Sequence, residues 1–277
     1  MVKSNTGATV ASRLRDKIIW LTGASSGIGE ALAYHLSDLD ATLILSARRA
    51  DVLEKVRQGC ANPDRHLVLP LDVLDTESHA AAYEAIIGKF GKLDLLINSA
   101  GVGQRSTALQ TAVQVDRRIM DLNYFGPVAL TKLVLPGMLA RRDGQIVVVS
   151  SLAAKLALPG RSAYAASKHA LHGFFNALRA EVGDQGISVT LACPGYVRTN
   201  TSHNALVGDG NAYNQPDSDI ARGMSPEKCA AQIVHAIEKR KAEVYIARYE
   251  KLGLYLNQFF PRLFRQVARS IGKRRPC

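Results

Sequence analysis

The chain is poor in cysteine, and no two cysteines are closely spaced. Its 277 residues include four, Cys60, Cys193, Cys229 and Cys277. Such scattered thiols fit neither a zinc knuckle nor a disulfide framework, and they favour a reducing compartment. The seven histidines lack the spacing of zinc enzymes, so no metal site is expected.

Long apolar runs are missing as well. No stretch reaches the roughly 18 consecutive apolar residues that a transmembrane helix needs. Residues 1–17 carry charge but hold no apolar segment typical of a secretory signal. These absences favour a cytoplasmic protein.

What remains is the composition of a folded protein, with 47% hydrophobic and 21% charged residues. Short β-branched segments alternate with longer segments of helical periodicity. The predicted strands are Lys17–Thr22, Thr42–Ala47, His66–Leu71, Leu93–Asn98, Gln145–Ser150, Ile187–Ala192 and Glu243–Ala247. The predicted helices include Ile28–Ser37, Thr76–Phe90, Val115–Leu139, Ala163–Val182 and Pro226–Lys239. This alternation predicts an α/β fold, a doubly wound parallel sheet with helices on both faces.

A glycine-rich turn follows the first predicted strand. Glycines let backbone N–H groups approach a ligand closely, and the N-terminus of the next helix favours negative charge. A dinucleotide pyrophosphate is therefore the expected ligand. Its predicted contacts are Gly23, Ser25, Ser26, Gly27, Ile28 and Gly29.

The turn, TGASSGIG over residues 22–29, resembles the TGxxxGxG motif of the classical short-chain dehydrogenases/reductases. Further motifs of that family follow in order, over about residues 14–247. They are Leu71-Asp72-Val73, Asn98-Ser99-Ala100-Gly101, Asn123, Ser150-Ser151, Tyr164 to Lys168 (YAASK), and Pro194 to Thr199 (PGYVRT). One departure is NSAG at residues 98–101, where the family usually has NNAG. The resemblance implies a Rossmann-type domain, and family members are commonly dimers or tetramers, so a homodimer or homotetramer is expected.

The choice of dinucleotide depends on the end of the second predicted strand. An acidic residue there binds the ribose 2′-hydroxyl of NAD, whereas an arginine accommodates the 2′-phosphate of NADP. This chain reads Ala47-Arg48-Arg49, with no carboxylate. We therefore expect NADP(H), with Arg48 as the first choice for the phosphate and Arg49 as the second. The resemblance implies further cofactor contacts at Asp72, Val73, Asn98, Ala100, Gly101, Tyr164, Lys168, Pro194, Gly195, Val197 and Thr199.

A tyrosine and a lysine lie four residues apart in one predicted helix, which places Tyr164 and Lys168 on the same face. The lysine ammonium favours the ionised phenol, as proton transfer to or from an alcohol oxygen requires. The family resemblance implies that Ser151 orients the substrate oxygen and that Asn123 anchors a water in a proton relay behind Lys168. It implies catalysis by Asn123, Ser151, Tyr164 and Lys168.

Two segments lie outside the alternation. Residues 201–223 are polar and too long for an ordinary connection, which is typical of a lid over a substrate site. Residues 251–277 contain seven basic residues and no acidic one. The formal net charge of the whole chain is +11, so the rest of the chain has a net charge of only +4 (11 − 7). Phe264, Val267 and Ile271 recur there at helical spacing, with arginines on another face. This extension fits either an anionic membrane surface or packing against the protein or a second subunit. No nucleic-acid-binding module is present.

The leading hypothesis is an NADP(H)-dependent oxidoreductase that interconverts a small secondary alcohol and a ketone, with a lipophilic substrate among the candidates. One alternative is a non-catalytic, regulatory dinucleotide-binding protein. Another is a 3-oxoacyl reductase whose substrate is attached to a carrier protein. We divide the chain into residues 1–250, the dehydrogenase domain with lid 201–223, and the extension 251–277. Pocket shape, set by the lid, residues 152–159 and the extension, is expected to determine the substrate.

Overall fold

Residues 12–274 are described by a computed structural model, in which seven parallel strands form one sheet. The strands are β1 (Ile18–Thr22), β2 (Thr42–Ser46), β3 (Leu67–Val68), β4 (Leu95–Asn98), β5 (Gly144–Val149), β6 (Ile187–Pro194) and β7 (Glu243–Ile246). Their order across the sheet is β3-β2-β1-β4-β5-β6-β7, and every neighbouring pair is parallel. The predicted doubly wound α/β sheet is confirmed.

The third strand is shorter than the predicted His66–Leu71. Its pairing with β2 continues beyond Val68, since the amides of Leu69 and Leu71 donate to the carbonyls of Leu45 and Ala47, each at 3.0 Å. Between them stands Pro70, which has no N–H to donate. Hydrogen bonding to β2 therefore extends as far as Leu71, and Pro70 is tolerated because β3 is an edge strand and the proline nitrogen falls on the side away from β2.

The helices are α1 (Gly27–Ser37), α2 (Ala50–Gly59), α3 (Ser78–Phe90), α4 (Val113–Met120), α5 (Gly126–Arg141), α6 (Ser162–Val182), α7 (Ser218–Ala221), α8 (Pro226–Glu238), α9 (Lys251–Phe259) and α10 (Pro261–Arg274). The predicted helix Val115–Leu139 is wrong as a single element. A π-helical turn at Asp121–Phe125 separates α4 from α5. Such a turn widens the helix locally, and it carries Asn123.

Helices cover both faces of the sheet because side chains alternate along each buried strand. On one face Ile19 and Leu21 pack with α1, α2 and α8. On the other face the fully buried Trp20 packs with α3, α5 and α6, and its indole donates to Ser46 Oγ at 2.9 Å. Two apolar layers of this kind supply most of the stability of such a fold.

The side of β1 on which the chain adds strands changes after β3. From β1 the chain proceeds outward to β3, then returns to place β4 on the other side of β1. Loops that leave the carboxyl ends of β1 and β4 therefore diverge, and a crevice opens between them. Ligands of open α/β sheets bind at this position.

The two segments outside the alternation are folded. In residues 201–223, Ser202, Ala205 and Leu206 are buried, and Leu206 bridges to Gln104 and Ala212. Residues 251–274 form α9 and α10, which are separated at Phe260, and Pro261 begins α10. No helix among residues 12–274 is long and apolar enough to cross a membrane.

Candidate active site

The glycine turn between β1 and α1 approaches the loop after β4 more closely than any side chain would permit. Gly23 has a positive φ of 69°, and a Cβ there would lie 2.7 Å from the amide nitrogen of Ala100. A Cβ on Gly29 would overlap the carbonyl oxygen of Gly23. Ser26, the N-cap of α1, makes no side-chain capping bond. The first N–H groups of α1 therefore face the crevice without helical partners, a cradle that fits the diphosphate of a dinucleotide.

The loop after β4 is attached to the same strand end. Thr22 Oγ1 accepts from the amides of Ser99 at 3.2 Å and Ala100 at 3.4 Å. Asn98 is buried, and its Nδ2 donates to Thr131 Oγ1 at 3.4 Å. Its Oδ1 is buried with no hydrogen-bond partner in the structure. The three residues expected here as cofactor contacts, Asn98, Ala100 and Gly101, thus lie beside the glycine turn.

The side chains of the two arginines after β2 make no ion pair or hydrogen bond within residues 12–274. Both Arg48 and Arg49 are exposed. At the next strand end Val73 is buried and Asp72 is half-buried, and Asp72 accepts from the amide of Leu74 at 3.1 Å. The guanidinium groups at this end of the crevice are therefore free to meet an anion.

Asn123 connects the β4 loop to α6. Its Oδ1 accepts from the amide of Val102 at 2.8 Å, and its Nδ2 donates to the Val102 carbonyl and to Ser167 Oγ, each at 3.0 Å. A Cβ on Gly101 would lie 3.2 Å from Asn123 Oδ1 and 3.7 Å from Lys168 Nζ. Asn123, Gly101 and Lys168 are therefore immediate neighbours behind the crevice wall.

Ser151 and Tyr164 share the wall of one cavity. Ser151 follows β5, accepts from the amide of Ala153 at 3.1 Å, and donates over a long 3.5 Å to the carbonyl of Pro194. Tyr164, in the first turn of α6, is held by its own amide, which donates to Gln104 Oε1 at 3.2 Å. Two side chains separated by 13 positions thereby border the same space.

Lys168 lies behind Tyr164, fully enclosed. Its ammonium is 5.7 Å from the centroid of the Tyr164 ring and donates to the Val149 carbonyl at 3.1 Å. Burial lowers the pKa of Lys168 to about 8, because the charged form is poorly solvated there.

The loop after β6 closes the other side. Pro194 and Val197 are buried, and Arg198 donates through its amide to the carbonyl of Met224 at 2.8 Å. A Cβ on Gly27 would lie 3.0 Å from Thr199 Cγ2. Thr199, one of the predicted contacts on this loop, therefore reaches the glycine turn, although the two are more than 160 residues apart in sequence.

The cavity at this point has a volume of about 520 Å³. Its polar wall includes Ser151 and Tyr164, and Pro194, Gly195, Val197, Thr199 and Ile28 border it as well. The opposite walls are apolar and come from residues 152–158, α9 and α10. They include Leu152, Leu156, Leu158, Leu252, Leu256, Phe264, Val267 and Ile271. The extension thus forms part of the cavity.

An ion-pair cluster was not foreseen from the sequence. Asp217 Oδ2 accepts from Arg105 at 2.6 Å and from Arg161 at 3.2 Å, and all three side chains are at least four-fifths buried. Arg161 also stacks over the ring of Tyr196, at 5.6 Å. The cluster connects the 201–223 segment to the residues that precede α4 and α6. No local sequence signal marks a pair separated by 112 residues.

A second buried polar group, His172, Cys193 and Glu243, lies under the site. Its ligand atoms are within 4.8 Å of one another, close enough for a metal ion. Desolvation lowers the pKa of His172 to about 4, with Lys155 adding to the effect. Burial, followed by the charge of Glu243, raises the pKa of the Cys193 thiol. Lys155 lies 3.7 Å from Glu243, and His172 bonds Ser150 Oγ at 3.1 Å, so the group supports the strand end that carries Ser151.

This arrangement has known counterparts. The sequence model of the family described as short chain dehydrogenase matches residues 17–208, which include the glycine turn, Ser151 and Tyr164. The chain belongs to the short-chain dehydrogenase family. Members of this family are oxidoreductases that use a nicotinamide dinucleotide.

Curated short-chain dehydrogenases resemble the chain over most of its length. Dehydrogenase/reductase SDR family member 7 of Homo sapiens is 41% identical over 269 residues, which cover 95% of this chain and 79% of that protein. A family protein 7-like dehydrogenase/reductase of Anopheles gambiae is 45% identical over 243 residues, 86% of this chain and 77% of its own. Both alignments extend past residue 208, where the family match ends.

Solved short-chain dehydrogenases have the same fold. One from Streptomyces avermitilis aligns with a TM-score of 0.80 and 30% identity, covering 93% of this chain and 97% of its own. One from Burkholderia phymatum, in complex with NAD, aligns with a TM-score of 0.79 and 22% identity, covering 90% of this chain and 95% of its own. The second comparison supports the fold alone.

Proposed function

We propose that this short-chain dehydrogenase interconverts a secondary alcohol and a ketone with NADP(H). The observation that carries the proposal is the position of Ser151 and Tyr164 on the wall of one cavity, with the Lys168 ammonium buried behind the tyrosine. When bound, the nicotinamide supplies a hydride to the carbonyl carbon or accepts one from the alcohol. The chain must then supply a proton donor, an orienting group and a dry pocket.

Tyr164 is the proposed general acid and base. In ketone reduction its hydroxyl donates a proton to the carbonyl oxygen, and in alcohol oxidation the phenolate takes that proton back. Lys168 favours the phenolate by its charge, which acts strongly because the ammonium is enclosed by protein rather than water. Ser151 donates a hydrogen bond to the same oxygen, exchanging its long bond to Pro194 for this contact.

Asn123 acts as a positioning residue in this proposal. Its three hydrogen bonds join the Val102 segment to α6 and so fix the distance between the cofactor wall and the tyrosine. The water relay expected from the family resemblance remains a prediction for this chain.

The preference for NADP(H) rests on charge at the end of β2. Arg48 and Arg49 are exposed and uncommitted, and no acidic residue occupies positions 46–49. A carboxylate there would repel a 2′-phosphate, whereas a guanidinium forms paired, charge-assisted hydrogen bonds with it. Arg48 remains the first choice and Arg49 the second.

The substrate is proposed to be lipophilic. The cavity walls opposite Tyr164 are formed mainly by leucine, isoleucine, valine and phenylalanine side chains. A polar substrate would lose hydration there without gaining partners, whereas an apolar one gains from leaving water.

The test is an absorbance assay at the nicotinamide band with a panel of aliphatic, aromatic and polycyclic ketones and their alcohols, each offered with NADPH and NADH. We expect turnover of apolar ketones, with NADPH favoured by at least tenfold in kcat/KM. Equal use of NADH would overturn the cofactor assignment. Tight NADPH binding without turnover of any panel member would favour a regulatory dinucleotide-binding protein instead.

A further inference from the structure

Exposed apolar side chains are concentrated on the C-terminal helices. Among the described residues, eleven large apolar side chains are exposed, and seven of them fall between residues 249 and 267. These seven are Tyr249, Leu252, Tyr255, Phe259, Phe260, Leu263 and Val267, which we call the C-terminal apolar surface. Clusters of this kind mark interaction sites in soluble proteins.

Helical spacing gives this surface a definite face. Leu252, Tyr255 and Phe259 recur at i, i+3 and i+7 along α9, so they project from one side of the helix. The opposite side of α9 is already packed: Leu254 contacts the sheet core, and Asn257 donates to the Lys155 carbonyl at 3.0 Å. The exposed face is therefore unpartnered while the helix itself is fixed to the domain.

The surface adjoins the mouth of the active-site cavity. Leu252 and Val267 belong to it, with 71% and 40% of their areas exposed, and both also line the cavity. Two residues of the exposed surface thus also line the cavity that Tyr164 borders.

The charge of the C-terminal segment indicates which partner binds the C-terminal apolar surface. Residues 251–277 hold seven basic side chains and no acidic one. Arg262, Arg265 and Arg269 are exposed along a different side of α10 from Leu263 and Val267. A helix is about 10 Å across, close to the Debye length at physiological salt, so these arginines still interact with an anionic plane under the apolar face. A second copy of the same surface would instead bring two basic segments together.

We propose that the C-terminal apolar surface docks on an anionic lipid bilayer and that substrate enters the cavity from the bilayer. Docking follows from the exposed face and the basic residues alone, whereas substrate entry also rests on the proposed function. Apolar side chains would insert at the level of the lipid headgroups, and each basic residue near the surface strengthens binding about fivefold.

Vesicle co-sedimentation of the full chain tests docking. The probes are vesicles of phosphatidylcholine alone and of phosphatidylcholine with phosphatidylserine. We expect binding to the mixed vesicles that weakens as salt is raised. The double variant Tyr255→Gln/Phe259→Gln, whose residues lie outside the cavity lining, should reduce this binding at least tenfold.

Leu109→Gln is the matched control, because Leu109 is 96% exposed but lies far along the chain from α9 and α10. It should bind vesicles like the parent chain. Arg265→Gln/Arg269→Gln should weaken binding about 25-fold, fivefold for each residue, and flatten its salt dependence. Equal loss in the control and the apolar variant, or no binding to either vesicle, would overturn the proposal.

The competing hypothesis is that a second copy of the chain covers this surface. Light scattering after gel filtration tests it by measuring the oligomeric state. If Tyr255→Gln/Phe259→Gln dissociates an oligomer and the parent binds no vesicles, the surface is an interface between copies and the docking proposal is wrong. Activity on a water-soluble ketone should be unchanged in this variant. A chain that binds vesicles yet reduces no ketone would refute the proposed function and leave docking intact.

Discussion

Lys168 lies 5.7 Å from the centroid of the Tyr164 ring, yet it donates its hydrogen bond to the Val149 carbonyl at 3.1 Å. The lysine therefore faces the tyrosine ring while its hydrogen bond goes to the backbone of β5, and in the proposed reaction it would act through its charge. One turn of α6 sets this separation, because residues four apart lie on one face. The end of β5 supplies the carbonyl that holds the amine in place.

Replacing Tyr164 by Phe removes one hydroxyl from the cavity wall. If that hydroxyl transfers the proton, kcat should fall by about 10³-fold, within the range of general acid–base catalysis. The half-buried ring is retained, so thermal stability and NADPH affinity, followed by nicotinamide fluorescence, should change little. A parallel loss of affinity and stability would indicate a folding role for Tyr164.

Replacing Lys168 by Met should separate stability from activity. Burial depresses the pKa of Lys168 from 10.5 to about 8 in the folded protein. Between these values the unfolded chain binds more protons, so this group raises the stability of the wild type as the pH increases from about 8 to 10.5. Lys168→Met should therefore gain most over the wild type at pH 7 and least near pH 10.5, although the Val149 carbonyl loses a donor.

Urea denaturation of the cofactor-free chain at both pH values measures this effect, alongside kcat, which should collapse in the variant. Lys132→Met, at an exposed position of α5, is the control and should shift stability by no more than about 0.5 kcal/mol at either pH. A destabilised Lys168→Met at pH 7 would mean that the ammonium contributes to folding.

Replacing Arg48 by Ala should change cofactor preference. One charge-assisted contact with the 2′-phosphate is worth about 1.5–3 kcal/mol, so the KM for NADPH should rise at least tenfold. The KM for NADH, which has no 2′-phosphate, should stay constant. Arg118→Ala, at an exposed position of α4, should leave both values unchanged. If only Arg49→Ala raises the NADPH value, the second choice is the phosphate partner.

Much of the fold is legible in the sequence because its determinants are local. Segments such as Ile18–Thr22 and Gly144–Val149 are β-branched and buried on both faces, and they alternate with helical periodicity. Helix α2 was not predicted, since only Leu53 and Val56 are buried in it and its periodic signal is short. The π-helical turn at Asp121–Phe125 escaped because apolar spacing continues across it.

The site residues likewise fall into two groups, those whose spacing in the sequence is short and those that come together only in the folded chain. The glycine turn and the Tyr164–Lys168 pair have short, fixed spacings, and their neighbourhood could be anticipated. Arg105 and Asp217, or His172 and Glu243, meet only after the sheet has assembled. The cavity walls from α9 and α10 were expected only in outline, because apolar spacing in a helix does not reveal what that helix covers.

Gly29 and Gly88 provide a matched pair of glycine-to-alanine changes, each within a helix. A Cβ on Gly29 would overlap the Gly23 carbonyl oxygen, whereas a Cβ on Gly88 meets nothing within 4 Å. Gly88→Ala should stabilise the chain by about 0.5–1 kcal/mol, as alanine does within helices. Gly29→Ala should distort the turn, destabilise the chain and abolish NADPH binding. Chemical denaturation and cofactor titration of both variants measure the difference. If Gly29→Ala is as stable as Gly88→Ala and still binds NADPH, the turn accepts a side chain at Gly29 and the prediction is wrong.

Asp217 tests whether charge holds the 201–223 segment against the cavity. Burial opposes its ionisation, but Arg105, Arg161 and the capped amides of α7 prevail and hold the pKa of Asp217 below its usual 3.8. Its stabilising effect is therefore complete above about pH 4 and is lost as the pH falls through the lower, folded pKa.

Asp217→Asn keeps an N-cap for α7 yet leaves two guanidinium groups without their partner, which should cost about 2 kcal/mol at pH 7. The cost should shrink at pH 3, and substrate KM should rise because the segment lines the cavity through Thr201 and Ile220. Asp209→Asn, which removes an exposed carboxylate bonded to Asn211 in the same segment, should leave KM unchanged. Equal effects of the two variants would show that the segment is held by its packing and not by this ion pair.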